Sequence, residues 1–275
     1  MSEIEVSILS QLRRIETEEN VRILYACESG SRAWGFPSKD SDYDVRFLYL
    51  RCPEAYLSIF EQRDVIERPI SDLLDINGWD LKKALRLFRK SNPPLLEWLQ
   101  SPIRYEEKYS VADGIRSLSP FSFSPKSSIY HYLNMARGNY RDYLQGSEVK
   151  IKKYFYVLRP LLACAWIEKY GEVPPLEFTV LVKDLIPEGT ELRETVQKLL
   201  TRKMSGDELN LEPRLDVINE YLERQIAHFE ALASGFGPGN GVADQALDEL
   251  FRGALLEVWG RENRWGAAES GSKNE

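Results

Sequence analysis

The chain is sparing with the residues that build disulfide frameworks and thiolate or imidazole metal sites. It has three cysteines and two histidines among 275 residues. Cys27, Cys52 and Cys164 are odd in number and far apart. They suit no disulfide framework and point to a reducing, cytoplasmic setting. Neither CxxC nor HExxH occurs, which removes the common Cys/His zinc sites. No Gly-x-Ser-x-Gly elbow marks a hydrolase triad. Long apolar runs are missing as well: the longest, residues 161–167 (LLACAWI), falls far below the roughly 20 residues that span a bilayer. The N-terminus carries Glu3, Glu5, Arg13 and Arg14 in place of an apolar signal core. Positive charge is in deficit, with 36 basic against 43 acidic residues and a net charge of -7. Bulk charge is therefore not the means of gripping nucleic acid, although a local basic cleft stays compatible with it.

What is present is an ordinary globular composition, 43% apolar and 29% charged, in a chain long enough to bury a sizeable core. Ile4, Ile8, Leu12 and Ile15 mark one face of a helix. Residues 21–27 (VRILYAC) and 43–50 (YDVRFLYL) read as strands, and 64–68 and 73–76 as two shorter ones. Residues 79–90 (WDLKKALRLFRK) read as a helix, with Leu81, Ala84, Leu85 and Phe88 on one side. Pro93-Pro94 starts another. Further helices are expected over 127–144, 150–170, 175–184, 191–204 and 215–233, then a linker at 234–241 and an apolar helical stripe from Leu247 to Val258. Trp79, Trp98 and Trp166 are expected in the core. The expected fold class is α+β: a small mixed-sheet module over 1–115, a helical module over 125–260, and a flexible tail over 261–275.

The chemistry concentrates in residues 25–50 (YACESGSRAWGFPSKDSDYDVRFLYL). A strand ends in a Gly30-Ser31 turn, ten residues follow, and Asp42-Tyr43-Asp44 enters the next strand. Residues two apart in a strand share a face, about 6.6 Å apart. Two carboxylates brought to about 4 Å repel by about 4 kcal/mol at an effective dielectric of 20. A divalent cation removes that cost, and oxygen ligands select hard ions such as Mg²⁺ or Mn²⁺. Gly30 lets a phosphate approach the backbone, Ser31 offers a hydroxyl donor, and Arg32 either adds charge or points to solvent. The plainer reading is a polar loop capping a strand. A calcium loop through Asp40, Asp42 and Asp44 is excluded, because Val45 and Arg51 stand where glycine and glutamate are needed.

The Gly-Ser turn followed by Asp-x-Asp resembles the nucleotidyltransferases of the DNA polymerase beta superfamily. The fuller pattern is similar to a bacterial branch, the RNA-repair-pathway polymerase-beta family. Residues 30–45, 78–87 (GWDLKKALRL), 91–99 (SNPPLLEWL) and 152–163 (KKYFYVLRPLLA) carry that likeness, which spans about residues 20–255. The resemblance implies a polymerase-beta-like catalytic module and transfer of a nucleoside monophosphate from a nucleoside triphosphate to an acceptor hydroxyl. It implies Mg²⁺ or Mn²⁺ held by Asp42, Asp44 and a third carboxylate that also helps deprotonate the acceptor. Asp75 is the preferred third, with Asp80 and Asp72 as rivals. Gly30, Ser31, Arg32, Lys152 and Arg159 are the expected nucleotide-binding residues.

Lys152, Tyr156 and Arg159 share one helix face by spacing, and Arg137, Tyr140 and Arg141 form a second basic-aromatic cluster. A solvated helix face is the plainer reading of both. The acceptor stays open between an RNA end, a protein and a small molecule, and so do the base and the oligomeric state. The rival readings are a nucleotide-binding regulatory protein that performs no transfer, and an antitoxin-like partner protein.

Overall fold

The computed structural model describes residues 2–39, 41–69, 73–207, 210–232, 235 and 241–260. Helix α1 (Glu3–Glu18) begins with a reciprocal cap, Ser2 with Glu5, and turns Ile8, Leu12 and Ile15 inward. Strand β1 (Val21–Glu28) follows. The short helix α2 (Gly30–Ala33) and a loop lead to β2 (Tyr43–Arg51), which runs antiparallel to β1. Helix α3 (Pro53–Leu57) and strand β3 (Val65–Glu67) precede β4 (Leu74–Asp80). Strand β5 (Arg104–Glu107) comes after two helices, α4 (Leu81–Arg89) and α5 (Pro93–Gln100). The five strands form one mixed sheet in the order β3-β4-β2-β1-β5, with β2 and β4 parallel.

The β2–β4 ladder corrects one expectation. Trp79 was expected within a helix, yet it extends β4, where it pairs with Leu48; Asp80, the last residue of β4, opens the helix as expected. The helix starts at Leu81 because the Asp80 carboxylate caps it, accepting the Lys82 amide at 2.8 Å. Gly78 lies opposite Phe47, and a Cβ there would fall 2.2 Å from the Phe47 ring, so only glycine allows that crossing.

The sheet is covered on both faces. On one, α1 packs over Ile23, Ala26, Val45, Phe47, Tyr49 and Ile76. On the other, α4 and α5 cover Leu24, Tyr25, Cys27, Leu48 and Leu50. A register shift between Ile23 and Tyr25 makes a bulge, which is why Leu24 and Tyr25 face the same side. Helix α6 (Val111–Ser122) occupies a stretch that reads from the sequence as a boundary. The last described helix, α12 (Asp244–Trp259), joins the same core and is tied to it by Arg89–Asp244 at 2.6 Å and Glu257 on Ser110.

The remaining helices build a separate core. Helix α7 (Pro125–Tyr143) packs along α8 (Lys153–Tyr170), which buries most of its circumference, as a central helix must. Helices α9 (Phe178–Leu185), α10 (Glu191–Ser205) and α11 (Asp216–Leu232) surround it. Strands β6 (Glu148–Lys150) and β7 (Leu211–Pro213) pair antiparallel at its edge. Phe36, from the loop before β2, belongs to this core: its ring stacks 4.8 Å from Phe155 and meets Phe178 edge-on at 5.3 Å. The expected tail over 261–275 and most of the expected linker over 234–241 lie outside the described residues.

Candidate active site

The parallel register sets Asp44 of β2 directly beside Asp75 of β4, on strands about 4.8 Å apart. Asp42 lies just before β2 and is exposed, while Asp44 and Asp75 are partly buried. Arg46, two residues beyond Asp44 on the same face, reaches across both. Its Nη2 donates to Asp44 Oδ1 at 3.1 Å and Asp75 Oδ2 at 2.7 Å, and its Nη1 to the Asp75 carbonyl at 2.9 Å. Burial raises the Asp44 pKa above the ordinary carboxylate value. Asp75 and Asp42 push it the same way, and Arg46 and Lys152 oppose them.

Gly30 explains the turn. Its φ is +60°, and a Cβ there would fall 2.0 Å from Asp44 Oδ2. Any side chain at residue 30 would thus collide with the carboxylate that the turn faces. Ser31 follows, half-buried, with no protein partner for its hydroxyl among the described residues. Glu28, fully buried at the end of β1, accepts the Asp44 amide at 2.8 Å and the Tyr105 hydroxyl. Burial pushes the Glu28 carboxyl up to about 7.

The loop leading to Asp42 is held from two sides. Arg32 donates to the carbonyls of Ser41 at 2.7 Å and Asp42 at 3.2 Å, with its guanidinium 3.6 Å from the Tyr43 ring centre. Its charge is spent on the loop carbonyls. From α10, the buried Lys203 donates to Ser38 Oγ at 2.8 Å and Ser41 Oγ at 3.3 Å. The Phe36 ring anchors the same loop in the helical core.

Residues 4–253 match the model of the RNA repair pathway DNA polymerase beta family, RlaP. The chain belongs to this family. Uncharacterized protein YcgL of Bacillus subtilis (strain 168) is 55% identical over 252 residues, covering 92% of this chain and 96% of that protein. A crystal structure of a nucleotidyltransferase-like protein from Exiguobacterium sibiricum 255-15 aligns with 92% of this chain and 91% of its own. That alignment has 13% identity and a TM-score of 0.29, too distant to bear on individual residues.

Within this family member, the residues expected at the site divide into two sets. Asp42, Asp44, Asp75, Gly30 and Ser31 lie together at one end of the β2–β4 pair, and Lys152, at the start of α8, is close enough for its charge to act on Asp44. Tyr156, half-buried one turn further along α8, feels the charges of Asp44 and Asp42, which together with burial raise its pKa.

Arg159 departs from its expected place on an open face. Its side chain is 3% exposed, pairs with Glu97 at 2.7 Å and lies 4.8 Å from the Trp34 ring centre. It locks α8 to α5 and does not face the acids. The spacing that puts it one turn from Tyr156 is correct, but α8 is surrounded, so that face is closed. In the second basic-aromatic cluster, Arg137 is paired with Glu230, Arg141 with Asp142, and Tyr140 with Glu223. Asp80 lies at the opposite end of β4 as a helix cap, and Asp72 is outside the described residues.

Three contributors were missed from the sequence. Arg46 continues the alternation of Asp42 and Asp44, so the period of two already placed it with them. Glu28 and Lys203 gave no signal, because nothing in a sequence tells which strand end or distant helix meets a loop.

The donor set of Asp42, Asp44 and Asp75 is all carboxylate oxygen and suits a hard divalent ion. Among the described residues no three carboxylate, histidine or cysteine groups are drawn close enough to enclose one. The Arg46 guanidinium stands between two of the three. The chemistry of the donors fits; closing the set requires Arg46 to yield or share its place.

Proposed function

We propose that this protein transfers a nucleoside monophosphate from a nucleoside triphosphate to an acceptor hydroxyl, with Mg²⁺ or Mn²⁺ held by Asp42, Asp44 and Asp75. The observation that carries the reading is that Asp44 Oδ2 occupies the place where a Cβ on residue 30 would fall, while Asp75 stands in register beside Asp44. The metal-side carboxylates and the phosphate-side turn then face one space. Family membership supports the reaction class. When bound, the metal supplies Lewis-acid polarisation of the phosphates and of the acceptor oxygen. Ser31 donates its hydroxyl to a phosphate oxygen, and the Lys152 ammonium offsets phosphate charge. Asp75 accepts the proton of the attacking hydroxyl. Glu28 holds the backbone of Asp44, and Arg32 and Lys203 hold the loop that carries Asp42, so the donors keep their spacing.

The test is radiolabel transfer from each of the four nucleoside triphosphates into RNA, protein and small-molecule acceptors, comparing the intact chain with Asp42→Ala. Absence of both label transfer and pyrophosphate release with Mg²⁺ and Mn²⁺ would refute the reading. The Arg46 bridge favours one alternative, a nucleotide-binding regulator whose acids are neutralised for good. Nucleotide affinity that survives Asp44→Ala, without turnover in either protein, supports that alternative.

A further inference from the structure

Four side chains form a string leading away from the acids. Tyr156 is nearest, within the field of Asp44 and Asp42. The Lys153 ammonium lies 4.8 Å from the Tyr156 ring centre and 4.3 Å from that of Tyr143. The Lys150 ammonium lies 5.6 Å from the same Tyr143 ring, which is 36% exposed. Aromatic ring and cation thus alternate outward from the catalytic end.

The charges in this string are not spent. Lys150, Lys152 and Lys153 make no ion pair within 4 Å among the described residues, in a chain whose net charge is -7. Nearby basic residues are paired: Arg137 with Glu230, Arg141 with Asp142, Arg202 with Glu212 and Arg214 with Asp216. Three ammonium groups crowd together, and burial with the like charges of Lys150 and Lys152 lowers the Lys153 pKa. An anion laid along them relieves that repulsion.

We propose that Tyr156, Lys153, Tyr143 and Lys150 bind a single-stranded polynucleotide, the acceptor of the transfer. This rests on the reading of Asp42, Asp44 and Asp75 as a nucleotidyl-transfer site. A donor triphosphate is compact and is met by Ser31 and Lys152. The string reaches past it and interleaves rings with cations, the arrangement that stacks unpaired bases while neutralising phosphates. A duplex hides its base faces and offers nothing for Tyr143 to stack on.

The experiment is fluorescence anisotropy of the full chain with labelled oligonucleotides of about a dozen nucleotides, within usual site sizes. RNA and DNA single strands and a duplex form separate arms, and the first two distinguish the sugar. Single strands are expected to bind in preference to duplex, with a slope of log affinity on log salt of about -1.4 for the two phosphate contacts of Lys150 and Lys153. Lys150→Gln with Lys153→Gln is expected to bring that slope to about 0. Tyr143→Ala is expected to weaken binding on the order of tenfold, and Tyr143→Phe to retain it.

Unchanged oligonucleotide affinity in these variants overturns the proposal. So does a raised KM for the nucleoside triphosphate with strand binding intact, which gives the string to the donor. Strand binding that follows these expectations in a chain inert toward every nucleoside triphosphate keeps the binding site and removes the reaction. Transfer to a protein or small molecule without strand binding does the reverse.

Discussion

At one end of the parallel β2–β4 pair, Asp44 and Asp75 share Arg46; at the other, Asp80 sits near Tyr56 and Arg51. The ingredients are alike, a carboxylate with arginine and tyrosine nearby. Asp80 is 4% exposed, and both of its oxygens are occupied, one by the Lys82 amide and the other by the Tyr56 hydroxyl at 2.8 Å. The side chains of Asp44 and Asp75 are 29% and 33% exposed, and their chief partner is the Arg46 guanidinium, not a backbone amide. An acid whose oxygens are all consumed by the fold belongs to stability. An acid left partly open to solvent, with its charge balanced by a side chain, is available for a ligand.

The contrast breaks most readily at Asp44. Asp44→Asn is expected to lower nucleotidyl transfer on the order of a thousandfold, since one charged contact to the metal is lost, while the fold survives. Label transfer and thermal melting in parallel check this; loss of both together would make Asp44 structural. Asp80→Ala should do the opposite. It removes a helix cap and the partner of the half-buried Tyr56 hydroxyl, for about 2 kcal/mol measured by urea unfolding. Turnover per folded molecule should stay unchanged.

Arg46→Gln sharpens the comparison further. It leaves Asp44 and Asp75 facing each other without their shared cation, and should cost about 1–2 kcal/mol in metal-free buffer. Mn²⁺ affinity by titration calorimetry should rise, because no internal cation then competes for the oxygens. Weaker Mn²⁺ binding in this variant would show that Arg46 supports the ion.

The smallest effect is a pH slope from Asp80. Burial raises its folded pKa above the ordinary carboxylate value, so folding favours its protonated form. That contribution is complete below the unfolded pKa and is lost as pH rises through the folded one. Stability should therefore decline across the weakly acidic range, and Asp80→Asn should flatten the decline. Urea midpoints taken at several pH values read the difference.

Much of this site is legible before folding. The Asp42-Tyr43-Asp44 spacing is read directly from the chain, and the Gly30-Ser31 turn announces itself beside it. The choice among Asp72, Asp75 and Asp80 is not legible, because it depends on the register between two strands. A slip of one residue would turn Asp75 to the other face. The helix expected at Trp79 fails for a related reason: a short apolar stretch serves either a strand or a helix, and pairing of Trp79 with Leu48 decides it. The extent of α8 also shifts. Lys150 goes to β6 and Lys152 to the helix cap, which puts Lys152 near Asp44 while Arg159 turns inward to Glu97.

Local chemistry in the chain determined the strands, the capped helices, the glycine turn and the spacing of two acids, since each depends only on residues a few positions apart. Tertiary packing decided which carboxylate faces Asp44, that Arg46 stands between the two, and that Arg159 is buried. It also brought Phe36 and Lys203 together to hold the Asp42 loop from the helical side. Those are contacts between segments far apart in sequence, and only the closing of loops and the burial of shared surfaces selects among them.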